Sequence, residues 1–521
     1  MSFSLDHPDL GTVIGNDGPK VSRFFGVQYA TLENRLANAQ LKTYSGHGDV
    51  IAEKHGPSAI SMPNACDMEH MFIQQTLPHG EFSYSDTECL NLNVFVPKTT
   101  RKDLPVFMFI HGGGFAIGSN AWPQYDLAAF VRRSVERDTP VIAININYRL
   151  GVFGFLTSQE LRDAGFSSNN GLSDQLVAIK WVQRYIAGFG GDTQNITVAG
   201  ESAGAVSALL HATRKDGLFK RVMSMGGTPL LLKPLPGFVA EATYSSVVDQ
   251  LGLASLTAEE RVRALLTISA EDVLSKVPPS APLMPVVDGS VVPTPFTFSD
   301  YASISTGQGC ESLLIGDCAF DSSILFYMLH ARLPTLVSDF HKSTAKSLAD
   351  HPEVRSELLK GYGIGEENDP KNLQSILEFA HDIGFYAPAV EIAKAWPQKA
   401  YLYHFNEVNP WDGRWKGFSS HIFDVALLFQ NYQDMLSKEQ QEVALKFCDD
   451  VLDYVSGKEP FPSFKSGEGG ARVYGPGSLG ARFIPGTKSE DVGRRSVLLR
   501  LSDKVGLDTL SHVWDMFMIG Q

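Results

Sequence analysis

Short apolar runs alternate with amphipathic patterns through the first half of the chain. The runs VFMFI, VIAINI and ITVA have the length and the almost unbroken apolar character of strands that are buried on both faces. Helical patterns lie near residues 122–137 and 174–186, and AVSALLHA follows ITVAGES. Such alternation predicts an α/β architecture, with a central, mostly parallel sheet and helices on both faces.

Strand patterns become sparse between residues 230 and 400. There LASLTAEERVRALLTI and HPEVRSELLKGY have helical spacing and acidic residues near their starts, which favours large helical insertions over the sheet. LLIGD and YLYHF are typical of core strands. The Gly-rich residues 465–478 are interpreted as a surface loop. Because no interdomain linker is evident, we expect residues 1–521 to form a single domain.

The composition is that of a globular protein with an acidic excess. Hydrophobic residues make up 43% and charged residues 20% of the 521 positions, and the formal net charge is -14. This charge repels phosphate backbones and anionic headgroups, so a nucleic-acid partner is not expected. No apolar run approaches the roughly 20 residues that a spanning helix needs, so no membrane span is expected.

Two features bear on the compartment. The amino terminus, MSFSLDHPDLGTVIGNDG, lacks the basic start and apolar stretch of a signal peptide. Five cysteines are too few for a disulfide scaffold, and their odd number leaves one thiol free unless chains are cross-linked. A cytoplasmic location is therefore the expectation, and secretion is the alternative.

Two glycine-containing motifs carry candidate chemistry. GESAG places Ser202 between a strand pattern and a helix pattern, as in a nucleophile elbow, where a serine occupies a strained turn and flanking glycines prevent collisions. HGGGF follows another strand pattern, and its exposed N–H groups can bind a developing oxyanion together with the N–H after the nucleophile. We assign this oxyanion hole to Gly113, Gly114 and Ala203. A serine nucleophile also needs a histidine and a carboxylate, which spacing alone does not select.

Further segments extend the pattern along the chain: FFGVQYA, ECLNLNV, NYRLGVFGFL, GLSDQLVAIKWVQRYIAGFGGD, FYAPAVEIA, YLYHF and FCDDVLDYVSGKEP. Together with the two motifs, they resemble the type-B carboxylesterase and cholinesterase family over nearly the whole chain. The resemblance implies an α/β-hydrolase fold, carboxylesterase activity on a small-molecule ester, and no requirement for a metal or cofactor.

The resemblance also implies the other catalytic residues. The family acid lies in a segment like GxNxDEG, where this chain has IGDCAFDSS, so Asp321 stands where the family usually has Glu. Asp317 is the nearby alternative. The family histidine lies in a segment like ASHGxE, which corresponds to GFSSHIFDV and gives His421. The order Ser202, Asp321, His421 is the chain order of α/β-hydrolases.

The chain departs from the family pattern around these residues. Ile422 follows the histidine where the family commonly has Gly, and Gly226 stands where a serine often supports the triad. Asp424, three residues after the histidine, and Glu201, beside the nucleophile, are candidate supporting residues.

Two further expectations rest on the resemblance. Family members commonly join cysteines that correspond to Cys66 and Cys89, which implies a disulfide here, although such a bond conflicts with a reducing cytoplasm. No tryptophan precedes ECLNLNV where cholinesterases bind a quaternary ammonium by cation–π attraction, so a choline ester is not the expected substrate. Acyl and alcohol preferences and the oligomeric state do not follow from the sequence.

Three functions are considered for a chain with these residues and this resemblance. The first is ester hydrolysis through a Ser-His-Asp triad and an acyl-enzyme intermediate. The second uses the same triad for acyl transfer, lactone opening or dehydration in small-molecule biosynthesis. The third is a non-catalytic binding protein like the adhesion members of the family, which the presence of all three triad residue types disfavours.

Ser202→Ala should abolish hydrolysis of a short-chain p-nitrophenyl ester, because it removes the nucleophilic oxygen. The variant should keep the circular dichroism spectrum of the wild type. A folded variant that still turned over the ester would contradict the assignment of Ser202.

Overall fold

Strands from the whole length of the chain meet in one large sheet. The computed structural model describes residues 2–44, 48–301, 309–464, 469–486 and 493–521. Its strands are β1 Ser2–His7, β2 Gly11–Asp17, β3 Val21–Gln28, β4 Ala30–Thr31, β5 Gln40–Leu41, β6 Val50–Ile51, β7 Asn91–Pro97, β8 Leu104–Ile110, β9 Ile142–Ile146, β10 Gly191–Glu201, β11 Arg221–Met225, β12 Ser312–Cys318, β13 Lys399–Phe405, β14 Gly470–Tyr474 and β15 Ala481–Pro485.

The centre of this sheet is parallel and its two ends are antiparallel. Within the described residues it has 13 strands in the order β1-β2-β3-β7-β9-β8-β10-β11-β12-β13-β14-β15, with β6 beside β2. Neighbours from β9 to β14 in this order all pair in parallel. The strands β4 and β5 form a separate small sheet. The prediction of a mostly parallel sheet is therefore confirmed.

Helices cover both faces of the sheet and fill the long connections. They are α1 Ala65–Ile73, α2 Ala128–Glu136, α3 Gly151–Phe155, α4 Gln159–Asp163, α5 Asn170–Tyr185, α6 Ala203–Ala212, α7 Gly237–Gln250, α8 Ala258–Thr267, α9 Ala270–Lys276, α10 Phe298–Tyr301, α11 Ser323–Met328, α12 Leu336–Ser347, α13 Pro352–Tyr362, α14 Pro370–His381, α15 Ala387–Ala395, α16 Phe423–Leu428, α17 Lys438–Val455 and α18 Arg495–Met518, which is kinked at Gly506. The helices α7 to α15 form the predicted insertions around β12. In the described parts of the chain, every helix is too short or too polar to cross a membrane.

Alternating side chains of the central strands divide the core in two. On β8, Val106 and Met108 pack into a core that includes α5, α6 and α15, whereas Phe107 and Phe109 pack into a second core with α2, α16 and α17. This follows from the two-residue period of a strand. A third cluster joins the insertion helices α11 to α14 to α18.

Two local predictions need correction. The helix predicted near residues 122–137 is shorter, because a 3-10 turn at Pro123–Tyr125 precedes α2. The prediction of a surface loop at residues 465–478 is wrong for residues 470–474. These residues form the largely buried β14, which pairs with β13 and β15. Residues 465–468 of that segment lie outside the described part. Pairing on both sides outweighs the local glycine signal.

A buried ion pair joins the end of β9 to α5. The Arg149 Nε donates to Asp174 Oδ2 at 2.8 Å, and its Nη2 donates to Oδ1 at 2.6 Å. Its Nη1 donates to the carbonyls of Arg35 and Ala37, and both charged side chains are at most 1% exposed. This pair therefore links the parallel core to the amino-terminal loop.

Asp174→Asn should destabilise the fold by about 3–5 kcal/mol, because it leaves the Arg149 charge buried without its counter-ion. Urea unfolding monitored by tryptophan fluorescence should show a lower midpoint. Glu459→Gln, which breaks the exposed Lys399–Glu459 pair, is the matched control and should leave the midpoint unchanged. Equal midpoints for both variants would contradict the structural role of the buried pair.

Candidate active site

Ser202 lies at a strained turn between β10 and α6. Its φ of 53° and ψ of -121° are unfavourable for a residue with a side chain. A side chain at Gly200 would collide with the Gly204 carbonyl, and one at Gly204 would collide with the Ile110 carbonyl. A side chain at Gly227 would collide with the carbonyl of Ser202 itself. The elbow therefore requires glycine at these positions.

The loop after β8 contacts this turn. A Cβ placed on Gly112 would lie 3.0 Å from Ser202 Cβ, so the loop backbone packs directly against the nucleophile. Gly113 and Gly114 have φ values of 88° and 61°, and within the described part of the chain their N–H groups donate no hydrogen bond. Ala203 begins α6, so its N–H has no acceptor in the helix. Three unpaired donors thus lie on the loop and the helix start that flank Ser202.

The histidine and the acid are joined by a main-chain bridge as well as by their side chains. The Phe320 N donates to the Ser419 carbonyl at 2.9 Å, and Phe320 pairs with Ser420 in a parallel bridge. The next residue on each segment is Asp321 or His421. Their side chains meet with Asp321 Oδ1 2.7 Å from His421 Nδ1. The loops after β12 and β13 therefore hold this pair in register.

Backbone and hydroxyl groups accommodate the short side chain of Asp321. Its Oδ2 accepts a hydrogen bond from the Cys318 N at 2.7 Å. The His421 N donates to Ser323 Oγ at 2.9 Å. Sequence reasoning missed Ser323, although its signal is a hydroxyl two residues after the acid. These bonds tie the acid, the end of β12 and the histidine together.

Two consecutive glycines pack against the members of the predicted triad. A Cβ on Gly226 would lie 3.0 Å from Asp321 Oδ1 and 3.4 Å from His421 Cε1, whereas one on Gly227 would meet Ser202. In the described residues no hydrogen bond joins Ser202 Oγ to His421, and His421 Nε2 lies 3.1 Å from Glu201 Oε1. Hydrogen bonds between catalytic side chains are often long before substrate binds. Rotation of the Ser202 hydroxyl would bring its Oγ towards His421.

Burial controls the charge of the side chains around His421. Burial lowers the pKa of His421 to about 4, although the charge of Asp424 raises it. Burial also raises the pKa of Glu201 well above its usual range, and the charges of Glu69, Asp424 and Asp321 add to this effect. Burial therefore favours the uncharged imidazole of His421, which is able to accept a proton, and favours the protonated form of Glu201 beside it.

The acid itself is subject to opposing effects. Burial raises the pKa of Asp321 to about 8 and the charge of Asp317 adds to this effect, whereas His381 and the hydrogen bond from the Cys318 N lower the pKa. The His421 Nδ1–H also favours the carboxylate, since a charged acceptor makes the stronger hydrogen bond.

Asp424 influences the site through its charge. Its Oδ2 accepts from the Tyr403 hydroxyl at 2.8 Å, and its Oδ1 accepts from the Val425 N at 2.8 Å. Within the described residues it makes no hydrogen bond to His421. As a supporting residue, Asp424 therefore acts on the electrostatics of His421 and not on its orientation.

Asp317, the alternative acid, belongs to a separate buried cluster. Its Oδ1 accepts a hydrogen bond from His404 Nδ1, its Oδ2 lies 3.3 Å from His381 Nε2, and Arg495 lies 3.9 Å away. Burial alone would raise the pKa of Asp317, but His404 and His381 outweigh it and hold the pKa well below its usual range. The structure pairs His421 with Asp321 and leaves Asp317 to other partners.

Ile422 adopts the conformation that glycine favours at this family position. Its φ is 67° and its ψ is -3°, in the left-handed region that β-branched residues avoid. The side chain is buried in the second core beside Phe423. Packing therefore holds a strained residue directly after the histidine.

The disulfide implied for Cys66 and Cys89 is not formed, because both are free thiols in separate environments. Cys66 lies on α1 in the second core, where its Sγ donates to Gln124 Oε1 at 3.8 Å. Cys89 lies in the first core, near the charges of Asp174 and Arg149. Their burial in different cores explains why they do not meet.

Comparison with known proteins identifies the family of the chain. The carboxylesterase family matches residues 6–464. The para-nitrobenzyl esterase of Bacillus subtilis (strain 168) is 31% identical over 391 residues, which are 71% of this chain and 72% of that protein. The juvenile hormone esterase of Heliothis virescens is 29% identical over 438 residues, 77% of this chain and 73% of that protein.

Solved structures show the same fold. A Geobacillus stearothermophilus carboxylesterase covers 95% of this chain and 99% of its own, with a TM-score of 0.73 and 24% identity. A thermophilic PNB esterase has the same coverage, with a TM-score of 0.74 and 23% identity. The α/β-hydrolase fold is therefore confirmed.

Asp321→Asn and Asp317→Asn form a matched pair that tests which carboxylate serves the histidine. Loss of the Asp321 charge should lower kcat by about 1,000- to 10,000-fold, the scale seen when a triad acid becomes an amide. Asp317→Asn should lower stability but leave kcat of the folded fraction within about tenfold of wild type, since it does not contact His421. Ester hydrolysis normalised to folded protein measures both, and the reverse ranking would identify Asp317 as the acid.

Proposed function

Since the chain belongs to the carboxylesterase family and is a carboxylic ester hydrolase, we propose that it cleaves small-molecule esters through an acyl-enzyme on Ser202. His421 is the general base and Asp321 orients it. The observation that carries this proposal is the 2.7 Å contact between His421 and Asp321, held in register beside the strained Ser202 turn. Such a turn presents a hydroxyl at the carboxyl ends of parallel strands.

Acylation begins with rotation of the Ser202 hydroxyl towards His421 Nε2, which accepts its proton. The Oγ attacks the ester carbonyl, and the N–H groups of Gly113, Gly114 and Ala203 stabilise the oxyanion. The alcohol leaves with the proton from His421. Asp321 stabilises the imidazolium that forms between these two transfers.

Deacylation repeats these steps with water as the nucleophile. His421 removes a proton from water, the hydroxide attacks the acyl carbonyl, and Ser202 recovers its proton as the acid leaves. Burial of Glu201, which favours its protonated form, supports this cycle. A charged carboxylate 3.1 Å from Nε2 would hold His421 as an imidazolium and prevent it from acting as a base.

A p-nitrophenyl ester in rapid-mix kinetics should release a burst of nitrophenol with an amplitude near one per active site, provided that deacylation is slower than acylation. Acid quenching followed by mass spectrometry should find the acyl group on the peptide that contains Ser202.

The Ser202→Ala variant should show neither burst nor adduct, whereas Ser207→Ala, at a buried serine on α6, should retain both. A slowly deacylating ester extends the test if the first substrate gives no burst. Hydrolysis with no trapped adduct for either ester, or an adduct on another residue, would contradict the proposed mechanism.

A further inference from the structure

A cysteine and two histidines outside the proposed triad lie close enough to share one ion. Cys66 and His70 are four residues apart on α1, so their side chains lie on the same face of the helix. His79 approaches them from the segment after α1. The Cys66 Sγ and one nitrogen of each imidazole all lie within 4.8 Å of one another.

The buried His70 lacks the hydrogen bonds that such a ring normally makes. The residue is 2% exposed, and neither of its ring nitrogens has a hydrogen-bond partner among the described residues. The neighbouring Gln124 amide donates to Glu69 at 2.9 Å and accepts from Cys66 at 3.8 Å. An unpaired buried polar group is costly, and a metal ion would satisfy one nitrogen of this ring.

His79 has an acceptor atom next to each of its two ring nitrogens. Its Nδ1 lies 2.9 Å from the Gly80 carbonyl, which can only accept, so the proton is on Nδ1. In the neutral ring Nε2 is then an acceptor, yet it lies 3.2 Å from the carboxylate oxygen Asp67 Oδ1. Two acceptors at this distance require a cation between them or a second proton on the ring.

We propose that Cys66, His70 and His79 bind a divalent transition-metal ion of the Zn²⁺ class, and that Asp67, which contacts His79 but lies outside this cluster, turns its exposed side chain inward as the fourth ligand. One thiolate, two imidazoles and one carboxylate match the ligand types and number of a tetrahedral zinc site. Ligand atoms around such an ion are about 3.5 Å apart, so the side chains need to close by roughly 1 Å. The ion replaces the thiol proton of Cys66.

A cavity beside the cluster gives a metal ion access to it, and protons compete with the ion for the ligands. A cavity of about 320 Å³, lined by His79, Pro78, Phe82 and Trp122 among others, opens beside the cluster and provides an entry path. Cysteine binds a metal as the thiolate and histidine as the neutral imidazole, so these ligands must lose protons to the ion. Protons therefore compete with the metal at these ligands, and affinity should fall as the pH is lowered.

Titration of the full chain, stripped of metal, with Co²⁺ tests the site directly. One equivalent should produce the visible bands of tetrahedral cobalt and a thiolate-to-cobalt charge-transfer band in the near ultraviolet. Competition with Zn²⁺ should abolish both. Absence of the charge-transfer band would overturn the assignment of Cys66, and absence of any saturable binding would overturn the site, leaving protonation to explain His79.

Two ligand variants and two controls localise the ion. Cys66→Ser should lose the charge-transfer band, and His79→Ala should weaken Zn²⁺ binding by more than about 100-fold, because even outer-shell partners are worth 10–100-fold. Since His79 is exposed, this variant should fold even if Cys66→Ser does not. Cys448→Ser and His351→Ala change a buried cysteine and an exposed histidine elsewhere and should bind as wild type. Equal affinity in His79→Ala and wild type would overturn the proposal.

Discussion

The backbone of Ser202 depends on the absence of side chains at the positions packed around it. At Gly200, Gly204 and Gly227 an added Cβ would collide with a main-chain carbonyl. Strain in a non-glycine residue of this kind costs on the order of 1–3 kcal/mol and persists only where the surroundings over-determine it. Here β10 supplies that restraint, because it lies between β8 and β11 with parallel pairing on both sides. The turn, the loop after β8 and the start of α6 are thus one packed unit.

The acid and the histidine are positioned chiefly by the main chain. The bridge between Phe320 and Ser420 sets two loops side by side, and the side chains of the following residues meet as a result. An aspartate can serve here, where the family pattern implies a longer acid, because the Cys318 N binds its carboxylate at the end of β12 and Ser323 Oγ on α11 binds the main chain of His421. The departure from the family pattern is absorbed by local hydrogen bonds and does not separate the pair.

The sequence predicted the features that depend on local pattern. The strands β8 and β9 and the second half of β10 are mostly apolar because both of their faces are buried, and Ser202 and the glycine loop follow from short motifs. Asp321 and His421 are far apart in the chain, so only the resemblance to a family selected them. The strand β14 was missed because its partners come from distant segments and glycine flanks it. The partners of Asp317 and the unpaired His70 depend wholly on tertiary packing, which no spacing rule reveals.

Ile422 limits which substitutions are tolerated after the histidine. Its left-handed backbone costs about 1–2 kcal/mol relative to glycine, whereas removal of its buried side chain would cost about 2–5 kcal/mol in lost packing. A change to glycine is therefore unfavourable unless a neighbour such as Phe423 is also replaced by a larger residue that fills the space. This position therefore accepts glycine only together with a second substitution that refills the core.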